Sequence, residues 1–270
     1  MIELMNKYRL LCRQLDEYTK QDTAVAFSGG VDSSLLLLLA VNAAKKNGTT
    51  VYAYTIATTL HPSGETAQAV RLAEQIGAVP RTIHVDELSE AGIENNPPDR
   101  CYLCKKCMFT KLKKDAGKLV VLEGTNEDDM YVYRPGIRAL KELGIVSPLS
   151  DCHLTKSEIR QLAKNFDVAV AEKPSTPCMA TRFPYHTKLS RSRMEQVARM
   201  EDYIRSLGFY NVRCRVYGKL VRIEVDRQDI ERLIVHGNAI TEYIKNIGYT
   251  YVTVDLEGFR SGSMDIGRKE

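Results

Sequence analysis

Short apolar runs alternate with amphipathic segments from the N-terminus to about residue 166. The β-prone runs predict strands at 23–27, 51–56, 81–85 and 118–122. Apolar residues at helical spacing predict helices over 1–20, 31–46, 65–76 and 155–166, and a lysine-rich helix begins at Cys101. Thr155 and Glu158 have the spacing of a capping box at the start of the last of these helices. The alternation predicts an α/β fold, a parallel sheet with helices on both faces.

A different pattern begins near Thr181. It predicts a long helix over 190–207, two alternating strands at 212–216 and 220–225 around a turn at Gly218-Lys219, a helix over 228–235 and a strand at 249–254. These elements indicate a second, smaller α+β domain. We therefore expect two domains, residues 1–182 and residues 183–270.

The amino-acid composition mainly argues against several classes of protein and partner. The 270 residues include 38 Lys and Arg against 34 Asp and Glu, a net charge of +4, so nucleic acid is not an expected partner. The longest apolar run, 35–41, is far shorter than a membrane span, and the N-terminus is too charged for a signal peptide. We expect a soluble cytoplasmic protein with no membrane partner. Seven cysteines, an odd number, argue against a complete disulfide framework.

The segment SGGVDSS, residues 28–34, follows a predicted strand and opens a predicted helix. Two glycines let successive backbone N–H groups face an anion, and the helix dipole favours negative charge there. Asp32 would repel bare phosphates, so it indicates Mg²⁺. The loop has no Walker lysine, which disfavours kinase-type transfer of a γ-phosphoryl group. The alternative is an ordinary strand-to-helix turn.

SGGVDSS resembles the PP-loop signature of the ATP pyrophosphatase superfamily, which includes GMP synthetase, NAD synthetase and several tRNA thiolases. The resemblance implies a five-stranded parallel sheet, cleavage of ATP at the α-phosphorus and adenylation of a substrate oxygen. The GTN segment that begins at Gly124, followed by Asp128 and Asp129, resembles the second nucleotide and Mg²⁺ loop. The residues implied to bind ATP are Ala26, Ser28, Gly29, Gly30, Val31, Asp32, Ser33, Ser34, Thr55, Gly124 and Thr125. Asp32, Asp128 and Asp129 are implied to bind Mg²⁺.

Cysteines form a second candidate site. Cys101 and Cys104 are a CxxC pair, Cys107 follows, and Cys178 lies in a PCMATR segment. A CxxC pair alone suits a redox pair or half a zinc site. Three thiolates from Cys101, Cys104 and Cys178 suit a 4Fe-4S cluster with one open iron, which resembles the cluster-dependent thiolases of this superfamily. In the rival interpretation Cys178 is a lone nucleophile or a sacrificial sulfur donor, and Cys107 in place of Cys104 stays open.

The segments GFYNVRCRVYGKLVRIEV and YTYVTVDLEGFRSGS closely resemble the LarE family. These are ATP-dependent sulfur transferases that build the nickel-pincer nucleotide cofactor of lactate racemase. The resemblance implies that a carboxylate of pyridinium biscarboxylate mononucleotide is adenylated and then replaced by thiocarboxylate. It implies that residues 1–182 are a PP-loop ATP pyrophosphatase domain and residues 183–270 a substrate-binding and oligomerisation domain of a homo-oligomer. The sulfur donor is sulfide or another donor, and the CxxC pair favours a cluster over sacrifice of the enzyme's own cysteine.

Under this resemblance Cys178, Asp32 and Arg182 are the expected catalytic residues. Arg213 and Arg215 alternate along a predicted strand, so both point to one face and can fork a phosphate. The expected substrate-binding residues are Thr181, Arg182, Arg213, Arg215, Glu201, Glu224 and Glu257. The alternatives are a solvated strand face for the two arginines and ordinary surface acids for the three glutamates.

Two other functions stay open on the sequence. A tRNA 2-thiolation enzyme would use the same adenylation and cluster chemistry, but it would need a basic RNA-binding surface. A non-catalytic adenine-nucleotide sensor would bind ATP without releasing pyrophosphate.

Overall fold

The computed structural model describes residues 2–58, 60, 64–132, 134–171 and 178–260. The α-helices are α1 (Ile2–Tyr18), α2 (Val31–Asn47), α3 (Glu65–Ile76), α4 (Glu87–Glu90), α5 (Arg100–Ala116), α6 (Gly136–Glu142), α7 (Pro148–Asp151), α8 (Lys156–Asn165), α9 (Arg191–Ser206), α10 (Ile230–Val235) and α11 (Gly237–Ile247). The strands are β1 (Thr23–Ala26), β2 (Val51–Thr58), β3 (Val79–Val85), β4 (Val120–Leu122), β5 (Val212–Tyr217), β6 (Leu220–Val225) and β7 (Tyr251–Val254). Short 3₁₀ turns lie at Asp128–Tyr131, Met179–Arg182 and Arg227–Asp229.

The chain forms two compact units. The first comprises Met1–Gly92 and Asp99–Thr176, and the second comprises Ile93–Pro98 and Pro177–Glu270. The short segment before α5 therefore belongs to the second unit. Within that unit the Asn96 side chain donates hydrogen bonds to the backbone oxygens of Phe183 and Pro184. A domain boundary between residues 182 and 183 stays a prediction.

The first unit contains the predicted parallel sheet, in the order β3-β2-β1-β4. The α/β architecture is confirmed, but the expected fifth strand is reduced to one parallel bridge between Leu122 and Val146. The segment is short because α6 ends just before it and Pro148 opens α7 directly after it. Since proline has no N–H to donate, the ladder cannot continue there.

Helices cover both faces of this sheet. Alternate residues of β1 point to opposite sides. Val25 packs into a core formed mainly by α1, α2, α3 and α8, whereas Ala24 packs into a second core with α5 and α6. Helix α2 is the most apolar helix, with a run of buried leucines, because it lies between the sheet and outer helices. None of the helices in the described part of the chain combines the length and apolar character needed to cross a membrane.

The predicted capping box is present at α8. The Thr155 side chain accepts from the Glu158 N–H, and the Glu158 carboxylate accepts from the Thr155 N–H at 2.9 Å. The Lys7 ammonium of α1 donates to the same carboxylate at 2.9 Å. The start of α8 is therefore fixed by its own cap and by α1.

The second unit is built on the sheet β5-β6-β7. Strands β5 and β6 form the predicted antiparallel hairpin, in which Gly218 has a φ of 60°. Strands β6 and β7 are parallel, so the chain must cross over between them. Helices α10 and α11 make that crossover. The sequence analysis did not predict α11, although Ile240 and Ile244 give it a buried face at helical spacing.

Replacing the capping residue tests the link between sequence and fold at α8. We expect Thr155→Ala to lower the free energy of unfolding by about 0.5–2 kcal/mol, because the helix loses its N-cap. Gln161→Ala, at an exposed position of the same helix, is the control and should change it by less than about 0.5 kcal/mol. Urea unfolding followed by circular dichroism measures both. Equal stability of the two variants would contradict the role of the cap.

Candidate active site

The SGGVDSS loop lies at the carboxyl end of β1 and opens α2. Gly30 is the N-cap, and no side chain of the described residues caps the helix there. The loop is ordered instead by its own hydroxyls, because Ser33 Oγ donates to the Gly30 carbonyl and lies 3.1 Å from Ser28 Oγ. An uncapped helix N-terminus with free N–H groups is a favourable place for an anion.

Two glycines allow other elements to approach this loop. Gly29 has a φ of 70°, and a Cβ there would lie 3.2 Å from Ala69 of α3. A Cβ on Gly124 would lie 3.0 Å from the Ser33 nitrogen. Gly124 follows β4, which pairs directly with β1, so both loops emerge at the same edge of the sheet. The two predicted nucleotide loops are therefore in contact through their backbones.

A cleft of about 490 Å³ opens beside these loops. It contains most of the residues predicted to bind ATP, and Gly29 and Ser34 belong to the same loop. The lining residues are Ala26, Phe27, Ser28, Gly30, Val31, Asp32, Ser33, Tyr54, Thr55, Ile56, Thr58, Glu65, Thr66, Ala69, Lys105, Met108, Phe109, Glu123, Gly124, Thr125, Asp129, Arg134 and Lys156.

Part of the cleft lining is apolar and suits a flat nucleobase. Met108 and Phe109 of α5 line it together with Ile56 of β2. The Thr55 hydroxyl is buried and has no hydrogen-bond partner among the described residues. Buried hydroxyls are normally paired, so this one is available to a ligand. The residues on α5 were not predicted to bind nucleotide, because only the tertiary fold brings that helix to the cleft.

The predicted Mg²⁺ ligands are held by hydrogen bonds and basic side chains. The Asp32 carboxylate forms an ion pair with Lys156, and the Asn126 side chain donates to it at 3.4 Å. Asp128 accepts from the Lys156 backbone N–H at 2.8 Å. The sequence analysis missed Lys156, because its partner Asp32 lies 124 residues away and no local pattern connects them.

Asp129 has the least exposed side chain of these three acids, 13% against 21% for Asp32, and Asp128 is exposed. Burial raises its pKa above the usual range, and the Asp32 carboxylate acts in the same direction. The Arg134 guanidinium, 2.9 Å away, opposes the shift. Carboxylate oxygens are the ligands that Mg²⁺ prefers, so the residue types fit this ion. No group of three or more His, Cys, Asp or Glu side chains within the described ranges is arranged to hold a metal.

A buried glutamate shapes the second loop. Glu123 accepts hydrogen bonds from the Thr125 backbone N–H at 3.0 Å, from the Thr125 hydroxyl at 2.8 Å and from Ser147. It therefore fixes the backbone immediately around Gly124. Glu123 was not among the residues predicted from the sequence, where the second nucleotide loop begins at Gly124, although Glu123 directly precedes that motif.

The cysteines are divided between the two units. Cys101 is exposed and Cys104 is half-buried, and they lie in the first and second turns of α5 in the first unit. Cys107 is half-buried, and burial raises the pKa of its thiol. Cys178 belongs to the second unit. Residues 172–177, which include the first residue of the PCMATR segment, and residues 261–263 of the GFRSGS segment lie outside the described residues.

Buried ion pairs organise the second unit. The Arg182 guanidinium donates to both oxygens of Glu201, at 2.8 and 2.9 Å, and Arg205 donates to Glu201 at 2.9 Å. Glu201 also accepts from the Cys214 N–H at 3.0 Å. Burial alone would raise the pKa of Glu201, but the hydrogen bond and charge of Arg182 outweigh it, so that pKa lies below its usual value.

The two arginines of β5 are both buried but differ in their partners. Arg215 donates to both oxygens of Glu224 and to the Thr181 carbonyl. Arg213 forms no ion pair with a carboxylate of the described residues, and its ring contact is with Phe259. Burial lowers the pKa of Arg213 to about 10, and the nearby Arg182 acts in the same direction. Among the described residues, Arg213 is therefore a buried positive charge without a bonded carboxylate.

The structure corrects the alternatives offered for these residues. The solvated-face interpretation of Arg213 and Arg215 is wrong, because both are at most 8% exposed. The surface-acid interpretation is wrong for Glu201 and Glu224, which are at most 1% exposed. The surface-acid interpretation does fit Glu257, whose side chain is 68% exposed and pairs with Arg260.

Known proteins resemble this chain over almost its whole length. A family model described as a PP-loop domain matches residues 4–131. The pyridinium-3,5-bisthiocarboxylic acid mononucleotide synthase of Lactiplantibacillus plantarum is 36% identical over 248 residues, 91% of this chain and 89% of that protein. The chain belongs to the LarE family. Membership and the PP-loop together identify an ATP-using sulfur-transfer enzyme of cofactor biosynthesis.

Two further relatives are uncharacterized proteins. One, from Synechocystis sp., is 35% identical over 246 residues, 89% of this chain and 91% of the relative. The other, from Methanocaldococcus jannaschii, is 29% identical over 264 residues, 97% of this chain and all of the relative. The LarE-family enzyme described here thus aligns with its relatives through both units.

A methyl group on Gly124 tests the contact between the two loops. We expect Gly124→Ala to weaken ATP binding at least about tenfold, because the added Cβ forces the loop away from Ser33. Gly237→Ala is the matched control, since a Cβ there would meet no atom within 4 Å. Isothermal titration calorimetry measures both affinities. Unchanged ATP affinity in Gly124→Ala would contradict the contact.

Glu201→Gln tests the buried ion pair of the second unit. We expect this substitution to lower the free energy of unfolding by about 3–5 kcal/mol near pH 7, because Arg182 is left without its counter-charge. The pKa of Glu201 is lowered by folding, so its stabilisation is present above the usual carboxyl pKa and is lost as the pH falls through the folded value. The difference from the native protein should therefore shrink in acid.

Denaturant unfolding at several pH values measures this difference. Glu195→Gln, on an exposed position of α9, is the control. If the two variants were equally stable at neutral pH, the ion pair would have no such role.

Proposed function

We propose that this enzyme adenylates a carboxylate of pyridinium biscarboxylate mononucleotide and replaces it with thiocarboxylate. One carboxylate oxygen attacks the α-phosphorus of ATP, and pyrophosphate leaves. A sulfur nucleophile then attacks the acyl carbon, and AMP leaves with that oxygen. The product would serve biosynthesis of the nickel-pincer nucleotide cofactor of lactate racemase. The similarity to the Lactiplantibacillus plantarum synthase across both units carries this proposal.

The first step has clear chemical logic in the cleft of the first unit. A carboxylate is a poor acyl donor, whereas an acyl adenylate has a good leaving group. The uncapped start of α2 offers N–H groups to phosphate oxygens. Asp32, Asp128 and Asp129 would hold Mg²⁺, which would neutralise the charge of the leaving pyrophosphate. Thr55 offers to the nucleoside a hydroxyl that has no hydrogen-bond partner in the described part of the chain.

We assign acceptor binding to the arginines of the second unit. Arg213 is buried and has no bonded carboxylate among the described residues, so an anion that reaches it would compensate a charge that burial makes unfavourable. Arg182 and Arg215 are held rigidly by Glu201 and Glu224, which fixes the positions of their positive charges beside Arg213. Thr181 joins this set through its carbonyl, which accepts from Arg215 at 2.6 Å. Glu257 stays the least supported of the proposed residues.

We propose that sulfur reaches the acyl adenylate through Cys101, Cys104 and Cys178. The CxxC pair begins in the first turn of α5 with the exposed Cys101, and the helix N-terminus favours a thiolate there. A 4Fe-4S cluster on these thiols would supply an open iron that binds an extra sulfide. Cys178 as a sacrificial sulfur donor is the competing route, and the CxxC pair argues for the cluster.

A product assay in three parallel reactions, two with different acceptors and one with none, tests the reaction. The enzyme is incubated with Mg²⁺, ATP and sulfide, with the pyridinium mononucleotide, with tRNA or with no acceptor. We expect AMP, pyrophosphate and a mononucleotide heavier by the exchange of oxygen for sulfur, only in the first reaction. Mass spectrometry and a pyrophosphate assay measure these products. Thiolated tRNA would establish the rival enzyme, and ATP binding without pyrophosphate release would establish a sensor.

The cluster is tested separately by anaerobic reconstitution with iron and sulfide. We expect broad visible absorption that is lost in Cys101→Ala, Cys104→Ala and Cys178→Ala and kept in Cys107→Ala. Cys107→Ala is the matched control because it changes a thiol on the same helix. A colourless reconstituted protein would contradict the cluster but leave the adenylation step standing.

A further inference from the structure

We infer that Lys156 is the phosphate-binding cation that the SGGVDSS loop lacks, and that it contacts the β- and γ-phosphates of ATP. This inference rests on the proposed function, because it concerns the same ATP-cleaving cleft. It assigns to a residue of α8 the task that a lysine inside the loop performs in Walker-type proteins.

Lys156 is the best placed of the cleft's basic side chains. Within the described residues the cleft is lined by Lys105, Arg134 and Lys156. Lys105 lies 5.8 Å from the centre of the Phe109 ring, on the apolar wall. Arg134 is bound to Asp129 and its side chain is 54% exposed. Of these three side chains, Lys156 is the one that pairs with Asp32, which is a residue of the SGGVDSS loop.

The position of Lys156 in α8 is unfavourable for a purely structural lysine. It is the first helical residue, next to the N-cap Thr155. The positive end of the helix dipole disfavours a cation there, so the position favours acidic residues. Asp32 and Asp128 compensate this charge, through the Lys156 side chain and backbone N–H respectively. The ion pair with Asp32 directs the Lys156 ammonium at the phosphate loop, where a bound anion would meet it.

The surroundings of Lys156 keep it ready for that task. The capping box of Thr155 and Glu158 fixes the backbone at its base, and Lys7 neutralises the Glu158 carboxylate. The side chain itself is 36% exposed, so it can turn from one partner to another. Without nucleotide it neutralises Asp32. If Asp32 were to hold Mg²⁺ when ATP binds, the Lys156 ammonium would be available to the phosphates.

Comparing ATP with AMP separates this role from a structural one. AMP has neither of the phosphates that Lys156 is proposed to contact. We expect Lys156→Met to weaken ATP binding by about 10- to 100-fold, the range for a hydrogen bond to a charged group. AMP binding should change less than about threefold, and Lys156→Arg should recover part of the ATP affinity. Isothermal titration calorimetry with Mg²⁺ measures both ligands.

Lys164→Met, at an exposed position of the same helix, is the control for loss of a lysine. Equal loss of ATP and AMP affinity in Lys156→Met would show that Lys156 only holds the loops together, and would overturn the inference. Unchanged ATP affinity would overturn it as well. Failure of the proposed function gives a different result: in that case the native enzyme forms no AMP when it is given ATP and the pyridinium acceptor.

Discussion

Direct backbone contact between two loops at one edge of the parallel sheet underlies the whole candidate active site. β1 and β4 are neighbours, so the loops that follow them emerge side by side. A Cβ at Gly124 would lie 3.0 Å from the Ser33 nitrogen, closer than ordinary van der Waals contact, so glycine allows this approach without a shift of either loop. This approach brings Asn126 and Asp129 to Asp32 and leaves the start of α2 open to an anion. The position of the candidate active site is therefore set by the order of the strands in the sheet, and the side chains of the two loops add the groups that would bind the ligand.

Charge is balanced differently in the two units. In the cleft of the first unit, acids predicted to bind Mg²⁺ are paired with Lys156 and Arg134, side chains that are partly exposed and free to rearrange. In the second unit, Glu201 and Glu224 are fully buried and hold Arg182 and Arg215 rigidly. In such buried pairs the cost of desolvation offsets much of the attraction between the charges. We interpret the first arrangement as exchangeable and the second as a fixed frame for an anionic acceptor.

Local signals in the sequence were sufficient for much of the fold. The α3 helix, the α8 capping box and the β5-β6 hairpin appear as predicted, because each depends on residues close together in the chain. Helix α11 was missed although Ile240 and Ile244 carry the helical period, so that signal was present. The fifth strand was expected by resemblance and is cut to one bridge by Pro148. Lys156 and the α5 wall of the cleft were beyond local patterns, since tertiary packing brings them to the nucleotide site.

The central claim is that a substrate carboxylate, and not water, attacks the α-phosphorus of ATP. Its most direct test uses pyridinium mononucleotide labelled with ¹⁸O in both carboxylates, incubated with the enzyme, Mg²⁺, ATP and sulfide. The account predicts that the phosphate group of the AMP formed carries one ¹⁸O atom, because the carboxylate oxygen leaves with it. Unlabelled AMP, or ADP in place of AMP, would contradict the account.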